Sequence, residues 1–346
     1  MRYYTYRVAS PLGSIARIGA ELNGRLVDLN AACAALFQEQ EEPDAQEYAA
    51  FLVPPDMITY LSRGEKAKQA VVESLQFVGS RLEKGEILGP GGERIVYGFD
   101  EVQLMAPVPR PPVVRDASAF LGHVKFGKEC VSGARDIADV PAEARGPEVF
   151  YQLPPYFHQS GAITAGPYDP IVKPRFTEQL DFEFELGLYV AKKGINIREE
   201  EAEDYIAGLT IYNDISARDV QFQEMELYLG PAKGKNFEGA NIMGPCMVTP
   251  DEIDYDNLRM IARVNGEVVA DDHSSGMYHK FPSIISRISE EEYLYPGDFI
   301  ASGTSDHGTC FTSTLKRWLE VGDIVELEIE GIGVIRNEVV PAPRYR

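Results

Sequence analysis

The pattern of apolar and polar positions changes twice along the chain. Tyr3–Val8, Ser14–Ile18 and Arg25–Leu29 alternate as short strands do, with Asn23-Gly24 as the turn between the last two. Residues 30–85 shift to a helical period. Asn30 is placed to cap the alanine-rich run behind it, and Glu65–Leu82 repeats its apolar residues at helical spacing. The turn cluster Gly89-Pro90-Gly91-Gly92 closes that region. Pro107, Pro109, Pro111 and Pro112 then crowd together, favouring extended backbone and opposing a helix or central strand. The division this predicts is an N-terminal domain at 1–106, a proline-rich linker at 107–115 and a second domain at 116–346.

Past the prolines the strand signal dominates. Leu180–Val190 is the clearest strand, and Ile206–Tyr212 follows an acidic helix start at Glu199–Asp204. Asn265-Gly266 predicts a hairpin turn between Arg259–Arg263 and Val268–Ala270. Ile324–Ile329 and Val334–Val339 predict a terminal hairpin, and Ser216–Glu226 and Pro282–Glu290 predict helices. The expected class is α+β, mainly β, with a smaller α/β N-terminal domain.

Composition narrows the function. The 346 residues carry 54 acids against 33 bases, a net charge of -21. Such a surface repels nucleic acid and anionic lipid, so no nucleic-acid or membrane partner is expected. The N-terminus shows no apolar signal core, and no run of about 18 apolar residues predicts a membrane span. Cys33, Cys130, Cys246 and Cys310 are scattered and form no C-x-x-C pair, which points to a reducing, cytoplasmic compartment.

Familiar motifs fail. Gly230-Pro-Ala-Lys-Gly234-Lys235-Asn236 is one residue short of a phosphate loop and lacks the Ser or Thr that would reach magnesium. No G-x-S-x-G elbow and no H-E-x-x-H helix occurs.

What remains is Leu180-Asp-Phe-Glu183-Phe-Glu185-Leu. On one strand Asp181, Glu183 and Glu185 share a face. They form either a solvated outer face or a half-buried group that repels itself until a cation neutralises it. Apolar sequence on both sides, and Asp214 at the end of the next strand, favour a hard cation such as Mg2+. His123, just past the prolines, is either a surface helix residue or a functional one. Lys235 is either solvated or brought close to a ligand by its glycines.

These residues carry a resemblance. Asp-Phe-Glu183-Phe-Glu185-Leu, Tyr212-Asn-Asp214-Ile-Ser-Ala-Arg-Asp219-Val-Gln221, Gly234-Lys235-Asn-Phe237, Gly244-Pro245, Val264-Asn-Gly-Glu267 and Pro296-Gly-Asp298-Phe-Ile-Ala-Ser-Gly303-Thr304 occur in that order. Over roughly residues 113–340 the chain resembles the fumarylacetoacetate hydrolase family, in a long bacterial form with an N-terminal domain. The resemblance implies a mixed, roll-like β architecture in the C-terminal domain and a homodimer. It also implies a divalent cation, Mg2+ or Mn2+ (Ca2+ in crystals), held by Glu183, Glu185 and Asp214. It implies His123 as general base, Lys235 as stabiliser of developing negative charge, and Phe157, Gln221 and Thr304 against the substrate. The further metal-binding Asp of animal-type members aligns with Ala119, which leaves Asp116 as an outer acid. The base's orienting Glu has no clear counterpart: Phe126 stands at one family position, and Glu129 is the candidate. The activity implied is metal-dependent hydrolysis of a C–C bond in an acylpyruvate-like or diketo acid. The alternatives are decarboxylation, tautomerisation or hydration of a 2-oxo acid on the same site, or a catalytically inactive metal-binding protein. Residues 116–150, rich in Gly and charge, are expected to cover the site.

Overall fold

A computed structural model of the chain describes residues 1–10, 13–82, 85, 87–131 and 145–343, with only the backbone of 127–131. The N-terminal strands β1 (Arg2–Ser10), β2 (Gly13–Leu22) and β3 (Arg25–Asp28) form where alternation predicts them. The helical region divides into α1 (Leu29–Glu39), α2 (Ala45–Leu52), α3 (Met57–Ser62) and α4 (Glu65–Gly79). Asn30 does not cap α1. Asp28 does, two residues earlier, accepting from the Ala31 amide at 2.9 Å while its other oxygen takes the Tyr6 hydroxyl.

Short strands β4 (Val96–Tyr97) and β5 (Gln103–Met105) precede the prolines. Beyond them come β6 (Val114–Ala117), α5 (Leu121–Val131), α6 (Glu148–Gln152), β7 (Tyr156–Gln159), β8 (Thr164–Ala165) and β9 (Ile171–Lys173). The expected strand Leu180–Val190 is interrupted. Leu180–Asp181 forms β10, and Phe184–Val190 forms β11, with Phe182 and Glu183 outside both. Next are β12 (Ile206–Asp214), β13 (Ser216–Ala217), α7 (Arg218–Met225) and β14 (Asn241–Val248). The chain ends with β15 (Arg259–Val264), β16 (Glu267–His273), α8 (Phe281–Ile288), β17 (Phe299–Ala301), β18 (Ile324–Ile329) and β19 (Gly333–Pro341).

The main sheet runs in the order β4-β3-β2-β1-β14-β12-β11-β17-β6-β7, with β5 added on β1 and β8 on β14. It therefore crosses the proline cluster: β1 pairs with β14 through Arg2↔Val248, and the N-terminal strands extend the sheet of the second region. A second sheet, β16-β15-β18-β19-β9, carries the turn at Asn265-Gly266, both residues at positive φ. The result is the mainly β, α+β class expected.

The central strands are covered on both faces, so β11, β12 and β14 read as nearly continuous apolar runs. Leu186, Leu188 and Val190 point into one core with the second sheet and α8. Tyr189, Tyr212, Met243, Phe299 and Val114 point into the other, beneath the N-terminal helices. Strand parity then places Glu185, Asp214 and Asp116 on that second face, at the end where the apolar positions run out. Of the segment 116–150 expected as a cover, Asp116 and Ala117 are buried sheet residues and 132–144 lie outside the described residues.

Candidate functional site

Four neighbouring strands, β12, β11, β17 and β6, end together. β11 runs antiparallel to β12 and β17, and β17 runs parallel to β6. The end of β12, the start of β11, the exit of β17 and the end of β6 thus meet at one edge. Asp214, Glu183, Glu185 and Asp116 converge there, all buried, with one oxygen from each lying within 4.8 Å of the others. Glu183 and Glu185 sit on either side of Phe184, the first residue of β11.

Asp116 is in this group and not outside it, three residues before the aligned Ala119. Ala119 is a buried apolar residue whose amide donates to the Ser302 carbonyl at 2.9 Å. The usable signal was the parity of β6, in which Asp116 shares the face of the core residue Val114.

Two buried cations reach the acids. The Lys235 ammonium, 1% exposed, donates to Glu183 Oε2 and Asp214 Oδ2. Arg218 spreads its fork over three partners: Asp181 Oδ2 at 2.7 Å, Glu183 Oε1 at 2.6 Å and Gln221 Oε1 at 2.9 Å. Arg218 stands inside a motif quoted above, but its role as the bridge between Asp181 and Glu183 was not legible from spacing. Asp181 does not join the other acids. Its second oxygen accepts from the Cys310 amide at 2.7 Å. Glu185 accepts from the Gly303 amide at 3.0 Å and the Thr304 hydroxyl at 3.2 Å. Gly303 is at φ +79, where any Cβ would overlap the Ala117 carbonyl, so glycine lets the two strand ends approach.

Electrostatics follow from this geometry. Burial, then the neighbouring carboxylates, push Asp116 and Glu185 well above the usual carboxylate range. Burial also pushes Asp214 up to about 6, against the pull of Lys235. For Glu183 burial acts the same way, but Arg218 and Lys235 outweigh it and hold the group ionised. Burial lowers Lys235 too, yet Asp214 and Glu183 raise it further and keep it an ammonium.

The donor set fits a hard divalent cation. Asp116 Oδ1 and Asp214 Oδ1 are buried without a hydrogen-bond partner, and the crowded carboxylates lack the charge that would let all four ionise.

The remaining expected residues surround the group. His123 lies in the first turn of α5, its side chain 22% exposed, with Nε2 at 3.9 Å from Glu183 Oε1. Burial pushes it down to about 4, against the opposing pull of Glu183, so the imidazole is neutral. Phe157 lies opposite Asp116 across β6 and β7, its ring centred 5.8 Å from Lys235 Nζ. Gln221 is buried and bound to Arg218; Thr304 touches Glu185. Glu129 falls in α5, and its side chain is outside the described residues. Surface cavities of about 530 Å3 beside Asp306 and about 880 Å3 beside β1 and β19 are lined by none of the four acids.

Comparison with known proteins gives the family. The family model for the C-terminal region of fumarylacetoacetate (FAA) hydrolase matches residues 113–340. The chain is 37% identical over 289 residues to a mitochondrial oxaloacetate tautomerase of Rattus norvegicus, covering 83% of this chain and 80% of that one. It is 30% identical over 294 residues to an oxaloacetate tautomerase of Bacillus subtilis (strain 168), covering 83% and 87%. A fumarylacetoacetate hydrolase from Exiguobacterium antarcticum shares the fold with a TM-score of 0.68, at 24% identity over 98% of this chain and 100% of that one. A maleylpyruvate hydrolase from Sphingobium sp. SYK-6 does so with 0.67, at 20% identity over 99% and 100%. Among the described residues no helix is long and apolar enough to cross a membrane. The ordered motifs from Asp181 to Thr304, the acids they bring to one sheet edge, and a family model spanning most of the chain together make this protein a member of the fumarylacetoacetate hydrolase family.

Proposed function

We propose that this protein is a divalent-metal-dependent tautomerase interconverting the keto and enol forms of a small 2-oxo acid of the oxaloacetate type. The carrying observation is the buried four-carboxylate group with a neutral, partly exposed imidazole at its rim. The relatives named oxaloacetate tautomerases support choosing this reaction from those such a site can perform. That choice moves the reading away from C–C hydrolysis and toward the isomerisation held as its alternative.

Asp116, Glu183, Glu185 and Asp214 would hold the cation. Bound there, Mg2+ or Mn2+ would supply Lewis acidity toward the oxygens of a 2-oxo acid. The chain's own groups do the rest. His123 Nε2 takes the proton from the carbon beside the carbonyl and returns a proton to oxygen, so atoms and charge balance over the cycle. Lys235 places a positive charge beside the developing enolate oxygen. Arg218 and Lys235 keep Glu183 ionised and fixed. Thr304 and Phe157 would face the substrate.

The test follows the ultraviolet absorbance of enol oxaloacetate with Mg2+ or Mn2+ and again after chelation, with mass spectrometry of the products. Faster metal-dependent loss of the enol at unchanged mass is expected. Pyruvate formation would instead make the protein a decarboxylase, and cleavage of acylpyruvates without enol turnover would make it a hydrolase.

A further inference from the structure

We propose that Asp306 is the positioning residue for His123, an inference that rests on reading His123 as the proton-transfer group. The start of α5 needs an acceptor, because first-turn amides have no partner within their own helix. Phe120, the residue before α5, has no side-chain acceptor to offer. The acceptor comes instead from 184 residues away: Asp306 Oδ1 takes the Gly122 amide at 2.7 Å, directly before His123. The approach is so close that a Cβ on Gly122 would overlap the Asp306 carboxylate. A carboxylate at a helix N-terminus also complements the helix dipole.

Asp306 is itself held rigidly. The next residue, His307, gives its amide at 2.9 Å and its Nδ1 at 2.7 Å to Asp272 on β16. On either side, the Ser305 amide donates to the Phe184 carbonyl at 3.0 Å, and the Phe184 amide donates to the Gly308 carbonyl at 2.9 Å. Two residues earlier Thr304 donates to Glu185. One short loop therefore grips the acids through Thr304 and aims the helix of the base through Asp306. It fixes where the imidazole stands relative to Glu183.

The experiment compares D306A, D306N, H123Q and D306A/H123Q by kcat, KM, Mn2+ affinity and melting temperature. In the wild-type background D306A lowers kcat by about 10- to 100-fold, the scale of a misplaced catalytic group. KM and Mn2+ affinity stay within about twofold, since neither is set by the helix start. D306N keeps a side-chain oxygen for the Gly122 amide and recovers kcat to within about threefold of wild type. In the H123Q background D306A has no further effect, because the group it positions is gone. Equal losses from D306A with and without His123, or no recovery in D306N, would overturn the positioning role while leaving His123 as the base. Wild-type turnover in H123Q would remove the reading and the proposal together. Should D306A not fold, G122A pushes a methyl against the same carboxylate and is expected to cut kcat alike; wild-type kcat in G122A would overturn the proposal.

Discussion

At the scale of single residues, the site is an imbalance of charge held in place by hydrogen bonds. Lys235 and Arg218 both lean on Glu183, which leaves Asp116 and Asp214 each with an unpartnered oxygen. Separating metal binding from proton transfer is therefore feasible. Glu183→Gln removes a ligand charge yet keeps the shape that Lys235 and Arg218 pack against. Its Mn2+ affinity, read by paramagnetic resonance, should fall by more than the roughly 10- to 100-fold typical of outer partners. His123→Gln should bind Mn2+ as the wild type does and lose turnover by about 10²–10⁴-fold. An unchanged Mn2+ affinity in Glu183→Gln would remove Glu183 from the ligand set. Glu183, Glu185, Asp214, His123 and Lys235 were legible as candidates through the family resemblance, because spacing alone left each of them open to a solvated reading. Asp116 was not, since its place depends on where β6 stops alternating, three residues from the position that motif alignment selects. Arg218 was hidden for a different reason: its partners, Asp181 and Glu183, lie 37 and 35 positions away in sequence.

Among elements, strand identity was easier to read than strand continuity. β18 forms at the very residues the alternation marks, and the Asn265-Gly266 turn falls where expected. The run Leu180–Val190 alternates without a break, yet the chain leaves the sheet at Phe182 and Glu183. Nothing local signals that break. It follows from tertiary pairing, as Asp181 is drawn to Arg218 and the Cys310 amide while β11 joins the main sheet. The cap of α1 shows the same limit. Asp28 and Asn30 are both chemically suited, and Asp28 is favoured by Tyr6 and Arg17, which reach it from β1 and β2. Packing inside β11 yields a sharper prediction. Gly187 lies against the ring of Phe299 on β17, where an added Cβ would fall within the ring. Gly187→Ala should destabilise the fold by about 1–3 kcal/mol, the usual cost of overpacking a filled core. A melting temperature equal to wild type would show that the β11–β17 contact yields without cost.

For the whole molecule, the four acids would form a stability reserve that a bound cation releases. Binding to the folded chain alone stabilises it by about 2.7 kcal/mol when the free ion is at a hundred times its dissociation constant. Melting followed by circular dichroism should thus shift upward with Mg2+ or Mn2+ and downward with a chelator. Asp116→Asn should reduce the shift; a full shift in that variant would place the ion elsewhere. The N-terminal strands share this stability, because they extend the sheet that carries the acids. The sheet order also has a temporal side. A ribosome delivers β6, with Asp116, long before β17, the strand that joins β6 to the rest of the sheet. Likewise β1 waits for β14, its partner through Arg2↔Val248. Such long-range pairing makes folding slow and leaves strand edges open in the meantime. A nascent chain halted anywhere before Phe299 can hold a β6–β7 ribbon with one acid on it, but it has no strand to carry that acid to the other three.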